Sequence, residues 1–490
     1  DKCTELRRSE SERILRAQPF LADADLTVIP NGHGGVTLDV HTIDEASLIL
    51  SGAVGGSAPV VQGVRVGSAN LAGLGVATSV AWHRQPYFDD RLELRLSDYQ
   101  LLGQPYILSL ATVREPLGRD DRAELTLPFR TDLQHFAWRG TISESRAHVG
   151  FTQRDSGQLA LGFGRDFSEI GGMGRLGPPG ALTLFGLSFT KERSFPDSEP
   201  VLISDVGFRD DTAAAFTGRF METRASRINA LIGVRGIRFM RVRGFDALRA
   251  AQDVPLGLQM GTMVGRGVRA LGADSRDMFV ASDLYIGMGT PKAAYRLQLQ
   301  GEGRRALGRT QWDGLVGSGR FARYGKPSTL RTEIISVEWS GTSRVLVPHA
   351  LSLGATDGGV RGLRHAEAVG GRRGIARIDE QFYAGSPFKF GDLGFAAFAD
   401  AGKLWVGDMP YGETTPVWGG AGISVLLAVP MRSSRMWRLD FAVPVSKVPG
   451  AHTWELRLSH NDRTSFFWRE PRDIDLARAR AVPASVYNWP

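Results

Sequence analysis

Cysteine is almost absent from this sequence. The one present, Cys3, leaves no partner for an internal disulfide. Its place near the start raises the possibility of a lipidated cysteine, but two residues precede it and no apolar signal core is present. A lone thiol in a polar segment is the plainer reading. Long hydrophobic runs are also missing: no stretch of about 18 apolar residues occurs, which excludes a helical membrane span. No signal peptide is visible, so the chain is expected to be mature or to begin part-way through a precursor.

Catalytic signatures are lacking too, and no enzyme activity is expected. There is no G-x-S-x-G elbow and no H-E-x-x-H helix. The segment Gly319 to Pro327 comes nearest to a phosphate loop, but Arg320 stands where a glycine is needed and Pro327 where Ser or Thr would bind magnesium. The nine histidines are dispersed. His33, His365 and His460 fall in expected loops or polar faces, where solvation explains them better than metal ligation. No metal and no cofactor are expected.

The formal charge is +7. A basic balance can indicate nucleic acid, yet the arginines are scattered through strand-like runs and alternate with apolar residues. That suits the wall of a wet lumen, with loop arginines meeting lipid phosphates; no nucleic-acid partner is expected. Glycine is plentiful at 60 residues, about 12% against a usual 7% or so. It suits tight turns and close backbone approach.

Helical periodicity is convincing only near the start. Ser9 and Glu12 read as a capping box, and Ser9 to Ala17 places Ile14 and Leu15 on one side. LTVIP, NGHGG and VTLDVHT then form a hairpin signal with Val36, Leu38 and Val40 on one face. Residues 1–48 are therefore expected to be a small water-soluble helix and hairpin.

Beyond about residue 58, short runs alternate strictly. Leu92, Leu94 and Leu96 interleave with Arg91, Glu93 and Arg95, and Tyr295, Leu297 and Leu299 with Arg296, Gln298 and Gln300. MWRLDFAV and TWELRLSH repeat the pattern. Period-two alternation gives each strand two unlike faces. The runs are about nine to thirteen residues, longer than the five or six usual in soluble sheets and sufficient to cross a bilayer when tilted. The expected fold is all-β: a transmembrane antiparallel barrel with its apolar face towards lipid.

One constellation is specific. Val360-Arg361-Gly362-Leu363 is followed by Gly370-Gly371, a strand carrying Glu380, and an F-x-D-x-G strand with Phe398, Asp400 and Gly402. Five strand runs lie after residue 371, near 372–383, 390–402, 417–429, 435–446 and 452–468. This order resembles the BamA/TamA superfamily of outer-membrane assembly factors, which includes two-partner secretion transporters and patatin-linked exporters. The resemblance implies about 16 strands and a small N-terminal α/β remnant of a POTRA module. Residues 1–48 would be that module, 49–468 the barrel with a lumenal loop at 341–371, and 469–490 a C-terminal tail. Module and tail would be periplasmic and the barrel would lie in the outer membrane of a Gram-negative envelope.

The resemblance also assigns roles. Val360, Arg361 and Gly362 would form the tip of a loop folded into the lumen, with Arg361 on Asp400 and Glu380 of the wall. Leu363 departs from the family's aromatic. Phe398, Asp400 and Gly402 share one strand face, and Gly402 leaves room for the loop. Val242-Arg243-Gly244-Phe245 copies the tetrapeptide but lacks the paired glycines, and reads as a strand end entering a short extracellular segment. Between about 115 and 225 there are more strand-like runs than sixteen strands permit.

The implied function is insertion of outer-membrane polypeptides, or transport of secreted ones, without ATP. The work would be done at a seam between a first strand near 60–70 and a last near 452–468. Alternatives are a structural barrel anchoring partner proteins in an envelope complex, and a patatin-linked exporter barrel. Partners would be outer-membrane lipids and a client polypeptide or envelope protein. The tail from Arg469 to Pro490 ends on Val486, Tyr487 and Trp489, which favours docking on a partner or plugging the lumen over a solvated appendage.

Overall fold

The computed structural model describes residues 4–55, 60–84, 90–154, 157–204, 206–211, 220–355, 358–387, 390–461 and 468–479. Cys3, Phe466, Phe467, Val486, Tyr487, Trp489 and the His460 side chain lie outside the described residues.

The chain opens with a helix, Glu5–Arg16, capped by Thr4, whose hydroxyl accepts the Arg7 N–H. The cap lies five residues before the expected Ser9, whose hydroxyl instead donates to the Leu6 carbonyl inside the first turn. A hairpin follows, Leu21–Pro30 with Val36–Asp44. This helix and one hairpin are what the described residues form; the full strand–helix–helix–strand–strand POTRA plan is not present among them.

Twenty antiparallel strands then close a ring, from Leu48–Gly55 to Glu455–Asn461. This corrects the count of about sixteen. The runs between 115 and 225 that seemed surplus are genuine wall strands: Gly118–Leu127, Phe136–Arg154, Gly157–Leu176 and Leu182–Pro196. Only Val201–Ser204 and Gly207–Asp210 form a side hairpin grafted on the wall. Five strands follow residue 371, as expected.

The pleat sorts side chains by parity. Leu92, Leu94 and Leu96 are exposed on the outer surface, whereas the intervening Glu93 is 4% exposed. Tyr295 faces outward, and Arg296 and Gln298 are buried inside. Leucines outside and charge inside fit a wall in contact with lipid and exclude a soluble sandwich with the same strands. Across the outer face, Arg114–Asp121 at 2.8 Å, Arg119–Glu144, Arg146–Asp166 at 2.8 Å and Arg193–Glu222 at 2.9 Å form a belt of ion pairs.

Wall height is uneven. From Met436–Pro444 through the closure to Gly118–Leu127, strands have seven to ten residues. Phe136–Arg154, Gly157–Leu176 and Thr223–Arg243 have 19, 20 and 21. An eight-residue strand tilted by about 40° rises roughly 20 Å, less than an apolar band of about 25 Å.

The N-terminal module sits on one end of the ring, here the proximal end. Arg16 reaches Asp253 at 2.9 and 3.0 Å, Arg241 reaches Asp25 at 2.8 Å, and Ser433 donates to Glu45 at 2.7 Å. Val242-Arg243-Gly244-Phe245 lies at this same end, with the module expected to be periplasmic and opposite to the lumenal loop. Its turn crosses the mouth. Phe245 packs on Tyr324, and Leu248 packs with Ala396, Leu426 and Met436 across the lumen.

A ring this wide has an interior that wall side chains alone do not fill. Among the described residues, besides the proximal turn, two segments enter it: the loop 344–371 from the distal end, and residues 468–479 after the last strand.

Candidate functional site: the lumenal loop, the seam and the threaded tail

The loop leaves the strand Arg331–Ser343 and returns at Arg372–Gly385, held by a two-residue ladder of Leu351–Ser352 with Val369–Gly370. Val360 and Leu363 are buried with Leu351, Leu353, Ile375 and Leu404. Leu363 thus serves as an apolar anchor. Gly362 has φ of +86°, a left-handed conformation that turns the chain at the tip.

Arg361 points at the wall. Its Nε donates to Asp400 Oδ2 at 2.8 Å, Nη2 to Asp400 Oδ1 at 2.7 Å, and its backbone N–H to Oδ2 at 3.1 Å. A fork on a fully buried carboxylate is a directional, charge-assisted pair. The guanidinium carbon lies 3.7 Å from the centre of the Phe398 ring. A Cβ on Gly402 would come within 2.8 Å of Val360 Cγ2 and 2.7 Å of Leu353 Cδ2, so the side chains at the tip would have to shift. A Cβ on Gly420 would lie 1.9 Å from the Arg361 carbonyl oxygen. Val360, Arg361, Gly362, Phe398, Asp400 and Gly402 are therefore brought together.

Glu380 is not among them. It lies on the outer face and pairs with Arg331. The second acid is its neighbour Asp379, whose Oδ2 accepts from Arg361 Nη1 at 3.0 Å. Adjacent strand residues face opposite ways, so a one-residue choice moves the carboxylate across the wall.

Asp379 also accepts two bonds from Arg438, at 2.8 and 3.2 Å, and Arg438 Nε donates to Asp440 at 2.6 Å. Arg377 pairs with Glu338 at 2.5 Å. Two arginines on three aspartates make one network spanning the loop and the strands Arg372–Gly385, Asp392–Trp405 and Met436–Pro444. Arg438 and Asp440 were readable in the alternation MWRLDFAV, where both share the polar face, but nothing in the sequence tied them to Arg361.

The loop tip also touches the ring closure. The Gly362 N–H donates to Glu455 Oε2 at 3.3 Å, and Arg364 lies 3.9 Å from Glu455. Glu455 pairs with Gly55 in the ladder between last and first strands. Among the described residues that ladder has four pairs, from Glu455↔Gly55 to Leu458↔Gly52, against eleven between Arg331–Ser343 and Arg372–Gly385. The first strand is Leu48–Gly55 rather than one near 60–70.

At the loop base, His365 and His452 meet edge to face at 4.9 Å between centroids. Burial first, then Arg364 and His452, lowers the His365 imidazole to about 4. Neither ring is the freely solvated group expected of His365.

Of the two ordered outcomes expected for the tail, residues 469–479 take the second and enter the lumen. Arg373 binds Asp473, with Nη2 to Oδ1 at 2.9 Å. Arg478 Nη2 reaches Glu470 at 2.7 Å and Ser318 at 3.1 Å, and Ile474 is fully buried. Loop, tail and wall enclose a chamber of about 1060 Å³ in which arginines such as Arg65, Arg95, Arg377 and Arg457 outnumber carboxylates.

A closed ring of antiparallel strands, mostly apolar outside apart from one belt of ion pairs and charged within, with a loop-filled lumen, defines a transmembrane-type β-barrel. Among solved structures the chain is similar to BamA from Haemophilus ducreyi lacking POTRA domains 1–3, at 12% identity and TM-score 0.41, covering 93% of this chain and 77% of that one. It is similar to CdiB from Escherichia coli at 11% identity and TM-score 0.47, covering 93% and 69%. It is also similar to BauA, the ferric preacinetobactin receptor from Acinetobacter baumannii, at 10% identity and TM-score 0.37, covering 90% and 85%. No protein-family model and no curated protein matches the chain.

Proposed function

We propose that this chain is an outer-membrane barrel that helps polypeptides insert into the membrane or pass across it, without ATP, by working at its seam. The observation that carries this reading is the four-pair ladder closing the ring. Among the described residues the strands on either side of it have seven and eight residues, within the low arc of the wall. A short ladder offers N–H and C=O groups to another strand at little cost, and a client strand could pair with the freed edge. Where the wall is lower than the apolar band, the bilayer must thin, which costs a fraction of a kcal/mol per Å and eases insertion nearby.

The Arg361 network supports the same reading. It fixes the loop whose tip rests on Glu455, at the seam's end, so loop and closure share one set of contacts. Its role is structural support rather than catalysis. Depletion of the protein in cells tests the proposal: other outer-membrane barrels, or secreted polypeptides, should fall in abundance. Unchanged levels of both would overturn it.

A second reading, a barrel that anchors envelope partners, is favoured by one feature. The hairpin strand Val36–Asp44 is exposed over nearly its whole length, with Val36, Leu38 and Val40 in a row. Co-purification with a partner that is lost on hairpin deletion, with no client defect, would favour the anchor.

A further inference from the structure

The lumen already holds a polypeptide, the chain's own residues 468–479, and the wall grips it by its backbone as well as by its side chains. The Gln298 side-chain amide donates to the Trp468 carbonyl at 3.1 Å and accepts the Trp468 N–H at 3.0 Å. Arg165 donates from Nη1 to the Leu476 carbonyl and from Nη2 to the Arg478 carbonyl, both at 2.6 Å. The Ala479 N–H donates to Glu302 at 2.6 Å. Three wall residues thus make five bonds to main-chain groups.

Main-chain groups are the same in every peptide, so such bonds bind without reading sequence. Gln298 and Glu302 lie on one face of the strand Ala293–Ala306, four residues apart. The residues they hold, Trp468 and Ala479, are eleven apart in the tail, which turns through the short helix Arg472–Asp475 between them. One requirement is chemical. Glu302 faces Arg478 at 3.4 Å, so a segment in the tail's place that carries a basic residue can make the same charge-assisted contact.

We infer that Gln298, Glu302 and Arg165 form a lumenal binding site for polypeptide main chain, occupied in cis by residues 468–479 and available in trans to a segment carrying a basic residue. The inference rests on the proposed passage of polypeptides and adds the site at which a passing segment is held. The tail occupies that site as an internal surrogate.

The test is made in planar bilayers with the purified full chain, a variant lacking residues 468–490, and a synthetic peptide of residues 468–479. Deletion should open a conductance that the full chain lacks, and the peptide should close it saturably. A peptide of the same composition in scrambled order should block at a similar concentration. Glu302→Gln should raise the blocking concentration about tenfold by weakening one charge-assisted contact. If the deletion variant does not fold, as judged by heat-modifiable migration, the full chain carrying Gln298→Leu and Glu302→Gln is used, and intermittent openings are expected. Unchanged conductance in both variants overturns the inference. So does block by the native order alone, which would make the tail a dedicated plug. Either result is distinguishable from failure of the proposed function, which is read in cells as the level of other barrels and secreted proteins.

Discussion

Removal of the Arg361 side chain should release the lumenal loop without unfolding the barrel. Arg361→Ala deletes three hydrogen bonds, two to Asp400 and one to Asp379, and leaves the backbone bond to Asp400 in place. Asp400 is then a fully buried carboxylate whose nearest remaining cation is Arg377, at 3.9 Å. Breaking a buried pair in this way costs about 3–5 kcal/mol; because the guanidinium borders a wet chamber, about 2–4 kcal/mol of loop docking is the better figure. That corresponds to a rise of about 30- to 900-fold in the undocked fraction. Amide hydrogen exchange across residues 351–370 measures it directly, while the strands 136–154 and 223–243 serve as an internal reference. Arg361→Lys, which keeps the charge but loses the fork, should fall between. The double variant with Asp400→Asn should lose less than the two single losses together, because the stranded carboxylate is gone. A rise in exchange under about fivefold for Arg361→Ala, less than about 1 kcal/mol, would refute the network as the loop's anchor.

Asp379→Ala should loosen the same loop, whereas Glu380→Ala should change stability by less than about 1 kcal/mol, since it breaks only an outward-facing pair; equal effects by hydrogen exchange would refute the assignment of faces. Gly420→Ala places a methyl group against the Arg361 carbonyl and should raise exchange in the loop while heat-modifiable migration is retained. Loop docking should also depend on pH. The docked state holds His365 neutral down to about 4, below its ordinary 6.5, so undocking takes up a proton; docking is strongest above 6.5 and weakens as pH falls towards 4. His365→Phe should flatten that profile in limited proteolysis, and an unaltered profile would exclude the histidine as its source.

The outer face of the wall was legible because lipid imposes a strict rule: in Arg91–Ser97 every second residue is leucine, and no other orientation of that stretch tolerates a membrane. The tip and its glycines were legible because few sequences combine V-R-G, paired glycines and F-x-D-x-G. The number of strands was not. Gly118–Leu127 and its successors are ordinary alternating runs, and they looked surplus only against the sixteen strands implied by the resemblance. The choice of Glu380 over Asp379 was a parity error, since both are acidic neighbours and only the pleat separates them. The path of the tail was hidden for another reason. Its partners, Arg165, Gln298 and Arg373, are 100 to 313 residues away in sequence, so no local pattern announces them.

The central claim is that the seam opens when the protein works. Val54 and Leu456 are directly paired across it, and the one native cysteine, Cys3, can be replaced by serine. Opposite residues of paired strands place their Cβ atoms about 4.5–5.5 Å apart, near enough for a disulfide after small adjustment. The measurement is client assembly or secretion in cells expressing Val54→Cys with Leu456→Cys, under oxidising conditions and after reductant. The account predicts that the locked barrel folds and reaches the membrane but supports neither process, and that reduction restores both. Normal client assembly and secretion with the seam fully cross-linked would contradict it.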